Sequence, residues 1–175
     1  MPAAEAQPQD WVTAAVQALR NAESWTGRIH VHKLLASVEL LGLAHPPFDF
    51  VLYYYGPYSR ELDLTIAEMQ AAGLLEREYP QPGYGPRYKV VYEGSGALTP
   101  DQREAIRNTA SAFAQRNSNE LELLTTCLWM EKRDGVTDER EIASRVSRLK
   151  PKYGIEQIIP YVQNARDLEA RLRPT

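Results

Sequence analysis

Apolar positions along this chain recur at helical spacing, then briefly at strand spacing, then at helical spacing again. Trp11, Val12, Ala15, Val16 and Leu19 share one helical face, which predicts a first helix over Trp11–Asn21 with Asp10 as its N-cap. Val31, Leu34, Leu35, Val38 and Leu41 form a second stripe, over His30–Leu41, with Gly42 as the C-terminal stop. His45-Pro46-Pro47 makes a rigid connector, since proline fixes its own backbone and restricts its predecessor. The run Phe48 to Tyr55 then reads as an aromatic strand, ending in a Gly56-Pro57 turn. A third helix follows over Arg60–Ala72, with Ser59 as N-cap, Gly73 as stop and Leu62, Ile66 and Met69 facing one way. Leu75–Tyr79 and Arg87–Tyr92 read as two strands. The intervening Pro80-Gln81-Pro82-Gly83-Tyr84-Gly85-Pro86 is too long for a tight turn and predicts a mobile tip.

Gly94-Ser95-Gly96 is the expected linker, and the chain beyond it is helical in pattern. Thr99-Pro100-Asp101-Gln102 joins a capping box to Pro at the first helical position and starts a helix to about Arg116 that buries Ile106, Ala110 and Phe113. Asn117 with Glu120, and Asp138 with Glu141, repeat the capping pattern before helices carrying Leu121, Leu124, Leu128 and Cys127, and then Ile142, Val146 and Leu149. A last helix runs to about Leu172, in which Pro160 is tolerable only in the first turn or as a kink. The expected fold is mainly α with a small β-hairpin. A disordered N-terminus (1–9) precedes a winged-helix-like core (10–93), and a C-terminal helical extension (97–173) packs on that core as one compact unit, because neither half looks able to bury its stripes alone.

Charge changes this picture in one respect. The 20 basic and 23 acidic residues give a net charge of −3, which argues against a globally basic nucleic-acid binder but leaves room for a local patch. No apolar run approaches the roughly 18 residues that span a membrane. The first nine residues have neither the basic flank nor the apolar core of a signal peptide. A single cysteine, Cys127, excludes an internal disulfide. A cytoplasmic protein is expected.

The residues do not assemble into a catalytic or metal-binding pattern. His30 and His32 stand two apart on a helix and point to different faces, and His45 sits beside two prolines, so no zinc spacing arises. Cys127 lies among leucines, as an inert thiol does. Asp138, Glu139 and Glu141 suit the first turn of a helix, where negative charge complements the dipole. No Gly-x-Ser-x-Gly elbow and no phosphate-cradling glycine loop is present. The expectation is a non-enzyme with no cofactor and no metal.

The aromatic run remains. Tyr53, Tyr54, Tyr55 and Tyr58 suit three roles: packing at the strand–helix junction, a protein interface, where Tyr is enriched, or stacking on nucleobases. In a strand Tyr53 and Tyr55 share one face and Tyr54 takes the other, so one side is expected in the core. The expected partner-binding residues are Tyr54, Tyr58 and Arg60, with Tyr84 at the hairpin tip, because they place aromatics and Arg on a turn and a loop. The alternative, a winged-helix nucleic-acid-binding regulator, meets an acidic third helix (Arg60 against Glu61, Asp63 and Glu68), which opposes phosphate attraction. Nucleic-acid contact would then fall to Arg145, Arg148, Lys150 and Lys152, with Arg87 and Lys89 of the hairpin.

Several of these segments resemble a known group. Lys33-Leu34-Leu35, then Tyr55-Gly56-Pro57-Tyr58-Ser59-Arg60-Glu61-Leu62, Met69 to Leu75 and Tyr88-Lys89-Val90 are similar to Panacea-type (SocA-like) antitoxin domains and the related YwgA-like proteins of unknown function. Glu120 to Trp129 and Leu149-Lys150-Pro151 resemble the C-terminal half of YwgA-like chains. The resemblance implies a non-enzymatic domain that binds a partner protein: an antitoxin neutralising a toxin, an adaptor delivering one to a protease, or an accessory to a phage-defence system. It supplies no catalytic residues, and oligomeric state is left open.

Overall fold

The computed structural model describes residues 4–173. Within them the protein is mainly helical, with two small antiparallel hairpins. Helices α1 (Pro8–Asn21) and α2 (Arg28–Leu40) lead into strands β1 (Val51–Tyr53) and β2 (Gly56–Tyr58). Helix α3 (Arg60–Ala71) and strands β3 (Leu75–Glu78) and β4 (Arg87–Val90) follow. Four helices complete the chain: α4 (Pro100–Ala112), α5 (Ser118–Lys132), α6 (Glu139–Leu149) and α7 (Ile155–Leu172).

Helix starts follow the capping chemistry of the sequence. Ser59 Oγ accepts from the Leu62 N–H, Thr99 and Gln102 form a reciprocal capping box, and Asn117 and Asp138 accept from the N–H groups of Glu120 and Glu141. Among the side-chain caps read from the sequence, the exception is that of α1. The helix begins at Pro8, and Asp10 is its third residue and not its N-cap. The Asp10 carboxylate accepts from the backbone N–H of Gln7 at 2.8 Å and of Ser95 at 2.9 Å. Of the lead-in expected to be disordered, Pro8 and Gln9 are therefore helical, while Met1–Ala3 fall outside the described residues. The Ser95 bond also fastens the expected Gly94–Gly96 linker to the first turn of α1. Pro160 lies at the sixth position of α7, beyond the first turn. It leaves the Glu156 carbonyl without its intrahelical donor, on a stretch where both residues are exposed.

Two elements differ from the periodicity reading in ways that matter for function. Helix α2 is not amphipathic in its surroundings. Every residue from His30 to Val38 is buried, including His32, Lys33 and Ser37. The reason is position: α4 and α5 pack on it, as do α1 and β2. The aromatic run, in turn, is not one strand closed by a Gly-Pro turn. It folds back on itself, Val51 opposite Tyr58 and Tyr53 opposite Gly56, so Tyr54-Tyr55 is the turn and Gly56-Pro57 is strand β2. Gly56 takes the left-handed backbone that this geometry needs (φ +87°). Before the hairpin, Ala44, Pro46, Phe48 and Phe50 alternate inward with exposed His45, Pro47 and Asp49, at the period of an extended chain.

The second hairpin pairs Leu75 with Val90 and Glu78 with Arg87. Tyr88 latches β4 to the loop before α2, its N–H donating to the Thr26 carbonyl and its carbonyl accepting from Thr26 Oγ1. One continuous buried cluster contains Val12 and Leu19 of α1, Leu34 of α2, Leu62 of α3, Ile106 of α4, Leu124 of α5, Ile142 of α6 and Ile158 of α7. Among the described residues no helix is long and apolar enough to cross a membrane.

Candidate functional site

The Tyr54-Tyr55 turn stands out from the protein on a base that is buried at Gly56 and Pro57. Tyr53, Tyr54 and Tyr55 are 53%, 70% and 64% exposed, so neither face of the tyrosine triplet enters the core, contrary to the expectation for a flat strand. A Cβ on Gly56 would lie 2.8 Å from Thr126 Oγ1, 3.3 Å from Lys33 Nζ and 3.5 Å from the Glu122 carbonyl oxygen. Only glycine lets the hairpin approach α2 and α5 this closely.

Two buried ammonium groups hold that base. Lys33 is 2% exposed and donates from Nζ to the Pro57 carbonyl at 3.0 Å. Lys150 is 4% exposed, donates to the Tyr54 carbonyl at 2.5 Å and pairs with the Glu122 carboxylate. Burial pushes the Lys33 amine down to about 7, with the Glu122 charge opposing that shift and the Lys150 charge adding to it. Lys150, expected in a surface basic cluster, thus faces inward and fixes the turn.

A second network ties the hairpin to α3. Asp63 accepts from Arg28 Nε at 2.6 Å and from Arg28 Nη2, from His32 Nε2 at 2.8 Å and from the Tyr58 hydroxyl at 2.6 Å. The Ser59 backbone N–H points at His32 Nδ1, 3.3 Å away. A backbone N–H only donates, so Nδ1 is the unprotonated nitrogen and the Nε2 proton serves Asp63. Burial holds the His32 pKa below its ordinary value despite the Asp63 contact, consistent with this neutral tautomer. Burial would raise the Asp63 carboxyl, but the hydrogen bonds from His32, Arg28 and Tyr58 outweigh it and hold it well below the usual range. Both His32 nitrogens are committed, so this His–Asp pair has no free site for taking a proton. Cys127 is 1% exposed, and burial pushes its thiol up to about 12.

These networks frame a cleft of about 640 Å³ walled by Tyr53, Tyr55 and Tyr58, with Arg28 and Arg60 at its edge and Lys33 in its floor. The Tyr58 ring stacks on His32 with centroids 5.0 Å apart, and Arg28 lies 5.8 Å from the Tyr58 centroid. Two further hollows adjoin it, each bordered by the exposed Ile29. One lies beside Tyr54, Lys150 and Lys152, the other beside Trp25 and Tyr84. Tyr58 and Arg60 therefore share one cleft, Tyr54 stands over the next, and Tyr84 borders the third, its ring 5.9 Å from Trp25.

The basic residues are more dispersed. Arg145 and Arg148 share the carboxylate of Glu141, Arg87 bonds Glu78, Lys89 stands opposite Glu76, and Lys152 lies over the Tyr153 ring. Sequence reasoning missed Arg28, His32, Lys33, Asp63 and Glu122. One sign was available. The α2 segment carries no carboxylate before Glu39, whereas a solvent-facing stripe normally carries charges of both signs.

No protein-family model matches the chain. It is 34% identical over 113 residues to the uncharacterized protein YwgA of Bacillus subtilis (strain 168), a match that covers 60% of this chain and 62% of that relative. The likeness to YwgA-like proteins rests on this match, which does not extend to the SocA-like antitoxin domains.

Proposed function

We propose that this chain is a non-enzymatic protein-interaction module with a winged-helix-like core, acting in the cytoplasm as an antitoxin or adaptor for a toxin or defence-system component. The observation that carries the reading is the Tyr54-Tyr55 turn: exposed tyrosines on a base fixed by two buried lysines. A rigid aromatic projection makes contact area at little entropic cost, which is what interface anchors do. Ile29, Tyr53, Tyr58 and Arg60 extend the same face, and Arg with Tyr is the pairing favoured at binding centres.

The test is affinity capture from the native host with wild type and a Tyr54→Ala/Tyr55→Ala variant, each carried through a thermal melt. One protein should be retained by wild type and lost by the variant, with affinity falling by about 2 kcal/mol or more per anchor and the melting temperature within about 2 °C. Equal retention by both proteins overturns the assignment of the face. Retention of nucleic acid alone, falling steeply with salt, replaces the protein partner with the regulator reading.

A further inference from the structure

The hollow beside Trp25 has features that the tyrosine turn does not explain. It lies where two helix starts converge, Gly27–Ile29 of α2 and Asn117–Ser118 of α5. Its volume is about 420 Å³, within the size range of small-molecule sites. Helix α2 has no side-chain cap and no acidic residue in its first turn, so its first N–H groups and dipole face the hollow without a counter-charge of their own. Arg28 and Arg116 add cationic side chains to the lining, Arg28 being shared with Asp63.

A second observation points to a ligand. His30 also lines this hollow and is 1% exposed. Its Nε2 lies 3.3 Å from the Arg116 carbonyl, which only accepts, so Nε2 carries the proton. Its Nδ1 is then a bare acceptor, buried and without a hydrogen-bond partner, a condition that costs free energy until a donor arrives. On the far side Trp25 and Tyr84 present aromatic rings 5.9 Å apart and tilted by 50°, with Tyr88 and Ile29 completing an apolar wall.

The start of α5 is capped by Asn117, with Glu120 in its first turn, which leaves the start of α2 for an anion. We propose that this hollow binds a mononucleotide, its flat base against Trp25 and Tyr84, its phosphate at the uncapped start of α2 beside Arg28 and Arg116, and a ligand O–H or N–H on His30 Nδ1. Each requirement is met separately: aromatic faces stack on any base, helix starts with Arg attract phosphate, and a ribonucleotide carries hydroxyl donors between the two. The site borders the tyrosine cleft through Arg28 and Ile29 but does not depend on the partner proposed for it.

Trp25 makes the test direct. Trp11 and Trp129 are buried in the core, and Trp25 is half-buried at the wall, so a stacked base should quench its fluorescence. The full chain is titrated with AMP, GMP, CMP and UMP, with adenosine and inorganic phosphate as separate arms, and repeated on Arg116→Glu and Tyr84→Ala. Tyr84 is exposed and Arg116 half-buried, and a thermal melt checks the folding of both variants. At least one nucleotide should quench saturably below about 1 mM, with its nucleoside and phosphate alone each weaker by about tenfold or more, and each substitution should weaken binding by a similar factor. No saturable change up to about 5 mM in the folded wild type, or unchanged affinity in both variants, overturns the proposal.

Discussion

Gly56 is where backbone conformation and packing impose separate demands on one residue, and they can be measured apart. Its left-handed φ of +87° alone would cost an alanine about 1–2 kcal/mol. Gly73 has a comparable φ of +74°, but a Cβ there would meet nothing within 4 Å. Gly73→Ala should therefore show the backbone cost alone. Gly56→Ala should add an overpacking cost of about 1–3 kcal/mol against Thr126 and Lys33. Urea unfolding of both variants decides it, and equal losses would mean the close approach is not tight. Lys33 makes a second residue-scale prediction. Its amine titrates near 7 in the folded protein and near 10.5 when unfolded. Between these values the unfolded state binds more protons, so stability rises with pH. From pH 7 to about 9, before tyrosines ionise, the gain should reach about 1–2.5 kcal/mol. Lys33→Met should flatten that rise in denaturant midpoints, and an unchanged slope would assign it elsewhere. Asp63 works in the opposite range. Its folded pKa is depressed, so its contribution is present above the unfolded value of 3.8 and disappears as pH falls toward the folded one. Asp63→Asn should remove part of the acid-side loss below about pH 4, read from the same midpoints across an acid series.

At the scale of elements, the unit to explain is the β1–β2 hairpin. Three-residue strands give too few ladder bonds to stand alone, so the cross-links from α2 and from the end of α6 must supply its order. Lys150 joins the Tyr54 carbonyl to Glu122 of α5. Lys150→Met should leave a half-buried carboxylate unpaired and cost about 3 kcal/mol or more, whereas Glu122→Gln/Lys150→Met should cost clearly less than the sum of the two single changes. A double-mutant cycle in urea measures this, and strict additivity would show that the pair is not coupled. This hairpin is also where the sequence reading stopped. Caps such as Ser59, Thr99 and Asp138 act within four residues, so their helices were legible from local spacing. Whether Tyr54 turns outward, or Lys33 turns inward, is set by β2, α5 and Lys150, which lie up to 96 residues away along the chain. The same holds for His32 and Asp63, 31 residues apart. Lys33 falls outside the apolar stripe of Val31, Leu34, Leu35, Val38 and Leu41, yet α2 has no polar side over His30–Val38, since α1, α4, α5 and β2 cover it.

For the whole molecule the question is whether Gly94–Gly96 separates anything. The contacts run across it: α1 packs on α4, α2 on both α4 and α5, and β2 on α5. Asp10 of α1 holds Ser95 directly, and the hairpin of the first half is locked by Lys150 of the second. Removing residues 97–175 would expose one side of α2, with Lys33 left beside no carboxylate from Glu122. Removing 1–96 would strip α5 of the helix that covers it. Each half would then present a large apolar face to water, and marginal stability of about 5–15 kcal/mol for a domain leaves little to absorb that loss. The full chain should therefore unfold in a single calorimetric transition whose van't Hoff and calorimetric enthalpies agree. Fragments 1–96 and 97–175 should each give the poorly dispersed spectra of unpacked chains, and mixing them should restore dispersion and helical circular dichroism. Two resolved transitions, or a well-dispersed spectrum from either fragment alone, would show two independent cores, and the pinned tyrosine turn would then have to be explained from the first half alone.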